Sequence, residues 1–171
     1  MAAPQSNKGS RSKPSSGASG SGQMNAIALL EQDHREVQGL FKRFQSAGDE
    51  DTRVRLAAQI CRALKVHAQI EEELFYPEAR DEIGEPQLVE EAVVEHQAAK
   101  ELISEIERMK PGEELFLTRM KVLREQIDHH IREEESKLFP ACEKAGMELD
   151  RLGRKLAERK QQLAGASSRA H

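Results

Sequence analysis

Six residues of metal-ligand type in this 171-residue chain have a spacing that repeats: His34, His67 and Glu71, then His96, His130 and Glu134. The second set follows the first at offsets of 62, 63 and 63 residues, and Pro77 recurs as Pro140. Each half holds one isolated histidine and, further on, an HxxxE pair. On a helix the i, i+4 spacing stacks that histidine and glutamate on one face, one turn apart. Neutral imidazole and carboxylate oxygens are good ligands for divalent first-row metals. If each glutamate bridges two ions, the four histidines divide two to an ion. About two octahedral positions per ion then stay open, for a bridging oxide or hydroxide and for an incoming small ligand.

Four segments with helical periodicity must position these residues. The first runs from Asn25, read as an N-cap, to about Ala47, with Ile27, Leu30, His34, Val37, Phe41 and Phe44 in one phase. The second runs from about Asp51 and Thr52 and stops before Pro77, with Ala57, Ile60, Leu64, His67, Glu71 and Leu74 in phase. The third starts near Pro86 and aligns Val89, Ala92, His96, Ala99, Ile103 and Ile106. The fourth follows Pro111 and Gly112, aligns Phe116, Met120, Leu123, Ile127, His130 and Glu134, and stops at Gly146. A proline suits a helix start and a glycine a stop. Short connections between long helices predict an all-α, up-down-up-down antiparallel four-helix bundle. A shorter fifth helix, about Met147 to Leu163, is expected to cap it.

The levels agree as well. His34 and His67 each lie roughly 20 Å from their shared loop at about 1.5 Å of rise per residue, and the second half repeats the count. Six polar side chains therefore converge on one layer of what should be dry core. A lone ionised carboxylate there costs several kcal/mol, and two facing each other cost more. Metal cations remove both penalties.

Composition fits this picture. Charged residues make up 33% and aromatics only 4%, as suits long amphipathic helices. Residues 1–24 are rich in Ser, Gly and Ala and carry +3, and we read them as a disordered basic tail. Residues 147–171, the short helix and a flexible tail from about Gly165, also carry +3. That leaves −10 on residues 25–146, the bundle domain, against −4 overall. An acidic body argues against specific nucleic-acid binding and suits cation uptake. No stretch approaches the roughly 20 apolar residues of a membrane span, and a secretory signal is not evident. A cytoplasmic protein without membrane contact, monomeric or weakly dimeric, is the expectation. Cys61 and Cys142 match no metal or redox spacing and are read as reduced thiols.

The pattern H…HxxxE…H…HxxxE, with HAQIEEELFYP at 67–77, HIREEESKLFP at 130–140 and LEQDHREV at 30–37, resembles the hemerythrin-like (HHE cation-binding) domains. The resemblance covers about residues 25–145. It implies a non-haem di-iron centre bridged by the two glutamates and an oxo or hydroxo group, with Zn or Mn as substitutes. Oxygen-carrying hemerythrins place a second histidine where this chain has Lys100, and a fourth-helix aspartate where it has Glu134. A His4Glu2 centre is thus implied. The family's repertoire includes O2 or redox sensing, iron handling, and reaction with NO or peroxide. A small diatomic ligand or peroxide is the implied partner, for a binding protein rather than a dedicated enzyme.

Two other functions compete. Ferritin-like iron-handling proteins use ExxH pairs, yet only Glu31 and His34 have that spacing; Leu64, Val93 and Ile127 occupy the other glutamate positions. A structural zinc-binding bundle is the third reading, but zinc favours four ligands rather than six. Around the site, His129 is expected to point between helices or outward. Glu72, Glu73, Glu133 and Glu135 read as solvated faces, one of which could hydrogen-bond a ligand histidine, and Asp33, Glu95 and Asp128, each preceding a histidine, could do the same. Tyr76 reads as a packed aromatic, and Lys100 as solvated by default, with an ion pair near the site mouth as the alternative.

Overall fold

The structure, a computed structural model, describes residues 24–110 and 112–168. The basic tail read over residues 1–24 therefore lies outside the described residues except for Met24. All regular elements among the described residues are helical.

Local chemistry sets the helix ends. Helix α1 (Ala26–Ser46) starts where the Asn25 side chain accepts a 2.8 Å hydrogen bond from the Ala28 amide. Asp49 does the same for Thr52 at the start of α2 (Glu50–Ile70), with Glu50 and Asp51 in the first turn, where the helix dipole favours acids. Helix α4 (Pro86–Arg108) opens on proline, whose missing N–H is no loss there.

The second and fourth segments do not stop at their prolines, as the sequence predicts for Pro77. After α2 the chain makes a π-helical turn, Glu71–Phe75, and continues as α3 (Tyr76–Glu82). After α5 (Phe116–Glu133) it makes a second, Glu134–Leu138, and continues as α6 (Phe139–Ala145). In an ordinary helix the proline ring meets the carbonyl four residues back. The wide turn carries the chain past that clash, with the Tyr76 amide reaching back to the Glu71 carbonyl and Phe139 to Glu134. The burial phase slips with it: Phe75 is fully buried, and Leu74, expected in the core, is only half-buried. Gly146 ends α6 at φ 75°, a left-handed conformation glycine adopts without strain.

Helix α1 packs on α2, α2 on α4, α4 on α5, and α5 back on α1, closing a ring of four. The apolar core falls into two clusters. One holds Leu30, Ile70, Phe75, Val89 and Phe139; the other holds Phe41, Ile60, Ile103, Met120 and Leu123. Helices α1 and α4 run from the first cluster to the second, and α2 and α5 return. The boundary between clusters is the level of the six polar residues.

The C-terminal helix departs most from expectation. Helix α7 (Leu149–Ser168) has 20 residues, is not short, and lies along α1 and α2 rather than capping an end. Leu152 and Leu156 are fully buried, while Arg151 and Lys155 pair with Glu78, and Arg159 with Glu73. Gly153 meets the α1 start so closely that a Cβ would stand 2.5 Å from the Met24 carbonyl oxygen. Once docked, a helix extends at the cost of one residue per hydrogen bond gained. It therefore runs through Gly165 to Ser168, where the sequence suggests a flexible tail. No helix among the described residues is long and apolar enough to cross a membrane.

Candidate metal centre

All six predicted side chains are buried and meet in one layer. Nε2 of His34 lies 3.2 Å from Nε2 of His67, and Nε2 of His96 lies 3.1 Å from Nε2 of His130. The carboxylates link these pairs. Glu71 Oε2 stands 3.1 Å from His67 and 3.4 Å from His96; Glu134 Oε2 stands 3.3 Å from both His34 and His130. The order around the layer is a closed ring: His34, His67, Glu71, His96, His130, Glu134. His34, His67, Glu71 and Glu134 present ligand atoms within 4.8 Å of one another, and so do Glu71, His96 and His130.

The donor set fits metal ions on chemical grounds. Both oxygens of Glu71 and Oε2 of Glu134 are buried and accept no hydrogen bond. Uncompensated, each carboxylate costs several kcal/mol. Two imidazole nitrogens bound about 2.1 Å from one ion at a right angle stand about 3 Å apart, close to the spacing within each histidine pair.

Each ring histidine turns its second nitrogen to a carboxylate. Nδ1 of His34 donates to Glu135 at 2.8 Å, Nδ1 of His96 to Glu72 at 3.0 Å, and Nδ1 of His130 to Glu95 at 2.8 Å. Nδ1 of His67 is 3.5 Å from Asp33, which Lys160 of α7 holds from outside. These hydrogen bonds fix the rings of His34, His96 and His130 with Nε2 facing inward, whereas Nδ1 of His67 and Oδ2 of Asp33 face each other without one. The repeat governs them too, since Glu72 matches Glu135 and Asp33 matches Glu95. Sequence reasoning gave these four only a small chance beside Glu73, Glu133 and Asp128. Those three pair instead with Arg159, Lys137 and Arg124. His129 is exposed and pairs with Glu95 at 3.3 Å.

Tyr76 is the packed aromatic expected, buried against Phe75 and His96, and it also reaches the ring. Its hydroxyl donates to Glu134 Oε1 at 2.8 Å and lies 3.2 Å from Nε2 of His96. An ordinary helix would aim it elsewhere, but the π turn brings residue 76 onto the face of Glu71. The matching residue, Phe139, stacks on His34 with ring centroids 5.9 Å apart. Lys100 takes the ion-pair alternative over the solvated default, donating to both oxygens of Glu72 at 2.6 and 2.5 Å.

These contacts set the titration of the metal-free chain. Burial alone would lower the pKa of His130, but Glu134 and Glu95 outweigh it and hold the imidazole well above its ordinary value. His34 and His96 are raised in the same way, burial again losing to the carboxylates. Burial would raise Glu134, yet His130 and His34 hold it well below the usual range. The hydrogen bond from His96, helped by Lys100, brings Glu72 down to about 2. Burial, then the Glu134 charge, pushes Tyr76 well above 10. Cys61 and Cys142 are unpaired, and burial raises them to about 11 and about 12, which keeps both as inert thiols.

The chain is similar to several known proteins. A DNA nickase from Nostoc sp. (strain PCC 7120) is 33% identical over 118 residues, which cover 69% of this chain and 33% of the nickase. An uncharacterized hemerythrin-like protein of Schizosaccharomyces pombe is 33% identical over 114 residues, covering 66% of this chain and 56% of that protein. The chain thus aligns with about a third and just over half of these relatives' lengths. A crystal structure of a hemerythrin HHE cation-binding domain-containing protein from Mycobacterium kansasii superposes with a TM-score of 0.73 at 26% identity, covering 84% of this chain and 89% of that one. The hemerythrin HHE cation-binding domain model matches residues 25–142, and the chain belongs to that family.

Proposed function

We propose that the chain holds two iron ions in an oxo- or hydroxo-bridged centre of an up-down-up-down antiparallel four-helix bundle. His34 and His67 serve one ion, His96 and His130 the other, and Glu71 and Glu134 bridge. The observation that carries this is Glu71: it is fully buried, lacks a hydrogen-bond partner at either oxygen, and stands between a histidine of each pair. Six donors with shared carboxylates favour a metal of higher coordination than zinc.

A centre of this kind supplies open positions and redox electrons for O2, NO or peroxide. The chain's own residues prepare it for such a ligand. Glu72, Glu95 and Glu135 orient three of the imidazoles, Asp33 faces the fourth, and Tyr76 keeps one oxygen of Glu134 engaged through a hydrogen bond. The apolar clusters flank the layer above and below. DNA nicking, named for the longer Nostoc protein, is outside this proposal. The matched segment is only a third of that protein, and −10 on residues 25–146 is the wrong sign for a phosphate backbone.

Elemental analysis and an optical spectrum, before and after azide or peroxide, test the reading. About two irons per chain with new charge-transfer bands is the expected result. A colourless protein holding tightly bound zinc, or less than about one metal per chain, overturns it.

A further inference from the structure

A cavity of about 540 Å³ reaches from exposed side chains on α1 and α2 to the ring, where His34, His67, His96 and His130 form its inner wall. At about 30 Å³ per water it has room for roughly 18 water-sized groups. A diatomic gas or peroxide needs the space of only about one or two. The volume falls within the range of pockets for organic ligands, about 300–1,000 Å³.

The walls and the rim differ in chemistry. Val37, Leu40, Leu64, Ile103, Ile127 and Ile131 make the walls aliphatic. Around them stand five cations, Arg43, Arg62, Lys65, Lys100 and Lys160, against two carboxylates, Asp33 and Glu36. Four of these cations lie in residues 25–146, whose total is −10, and Lys160 comes from the C-terminal segment that carries +3. Three of the cations are engaged: Lys65 with Glu107, Lys100 with Glu72, and Lys160 with Asp33. Arg43 and Arg62 are exposed and make no hydrogen bond or ion pair among the described residues. A guanidinium presents a planar fork that matches a carboxylate.

We infer that this cavity binds a chain carboxylate, its head on Arg43 and Arg62 and an apolar tail of about ten to fourteen carbons along the aliphatic walls. The inference deepens the metal-centre reading by naming the substrate class admitted to it, and the two are separable. A buried methylene tightens binding roughly two- to fourfold. A guanidinium–carboxylate contact adds roughly tenfold or more.

Calorimetric titration of the full chain with octanoate, decanoate and decanol tests this, with metal content measured on the same preparations. Saturable one-to-one binding is expected, tightening from octanoate to decanoate and roughly tenfold or more weaker for decanol. Arg43→Gln with Arg62→Gln should weaken decanoate by a similar factor. Ala63→Trp, which fills the half-exposed mouth, should abolish binding with metal content unchanged. Decanol binding as tightly as decanoate, or an unaffected double arginine variant, overturns the inference. So does the absence of saturable binding by protein that holds its metals, which leaves the metal centre standing. Protein that binds decanoate but no metal refutes the centre and keeps the cavity.

Discussion

Glu135, in the second repeat, accepts a 2.8 Å hydrogen bond from Nδ1 of His34, in the first. Glu72 returns the contact, from the first repeat to His96 of the second. The two halves are therefore cross-braced by residues that each follow a ring glutamate by one position. Replacing Glu135 or Glu95 with Ala should leave the bundle folded and lower metal affinity roughly 10–100-fold. Competition with a chromophoric chelator measures this. Wild-type affinity in both variants would show that the outer carboxylates do not tune the ligands.

Tyr76→Phe makes the first half resemble the second, where Phe139 already stands. Glu134 Oε1 then loses its 2.8 Å donor while the residue stays buried. Leaving a buried acceptor unsatisfied costs roughly 1–3 kcal/mol. Chemical denaturation of metal-free protein should show that loss, and a stability equal to wild type would mean the hydrogen bond contributes nothing net.

The metal-free chain has a pH dependence whose sign is fixed by the site. His34, His96 and His130 have folded pKa values raised above 6.5, so their contribution is complete below 6.5 and disappears as pH rises through the folded values. Glu134 is lowered, so its contribution is complete above 4.5 and disappears as pH falls through the folded value. Melting temperature should therefore peak between about pH 4.5 and 6.5 and fall by pH 9. Metal must displace the histidine protons, so loaded protein should show the opposite trend on its alkaline side. A metal-free melting temperature that climbs steadily to pH 9 would contradict the assignment.

Gly153→Ala tests the docking of α7. Its Cβ would meet main-chain atoms, 2.5 Å from Met24 O and 2.7 Å from the Asn25 carbonyl carbon, and neither can swing aside as a side chain would. Overpacking of this kind typically costs about 1–3 kcal/mol. A calorimetric melt should record the drop; a neutral result would mean that α7 docks less closely than described.

The six ring residues were legible in the sequence because 3.6-residue periodicity and a 62–63-residue repeat both mark them, and because acids in an apolar phase demand a partner. Tyr76 was not legible. Pro77 reads as a helix stop, and nothing in the residue pattern announces that the turn before it is wide enough to pass the proline. The outer carboxylates were only half legible. Glu72 and Glu73 are identical in type and adjacent, and which one meets His96 depends on how the hairpins cross. The reach of α7 was hidden by Gly165 and the serines after it, poor helix formers carried along by the docked leucines.

The π turns at Glu71 and Glu134 also make chain length around the site unforgiving. Removing one residue from 72–75 would restore a standard turn and swing everything beyond it by about 100°. Tyr76 would leave Glu134, and Ala79 would leave the first cluster. Loops elsewhere can gain or lose residues, but these two stretches have their length dictated by what they aim.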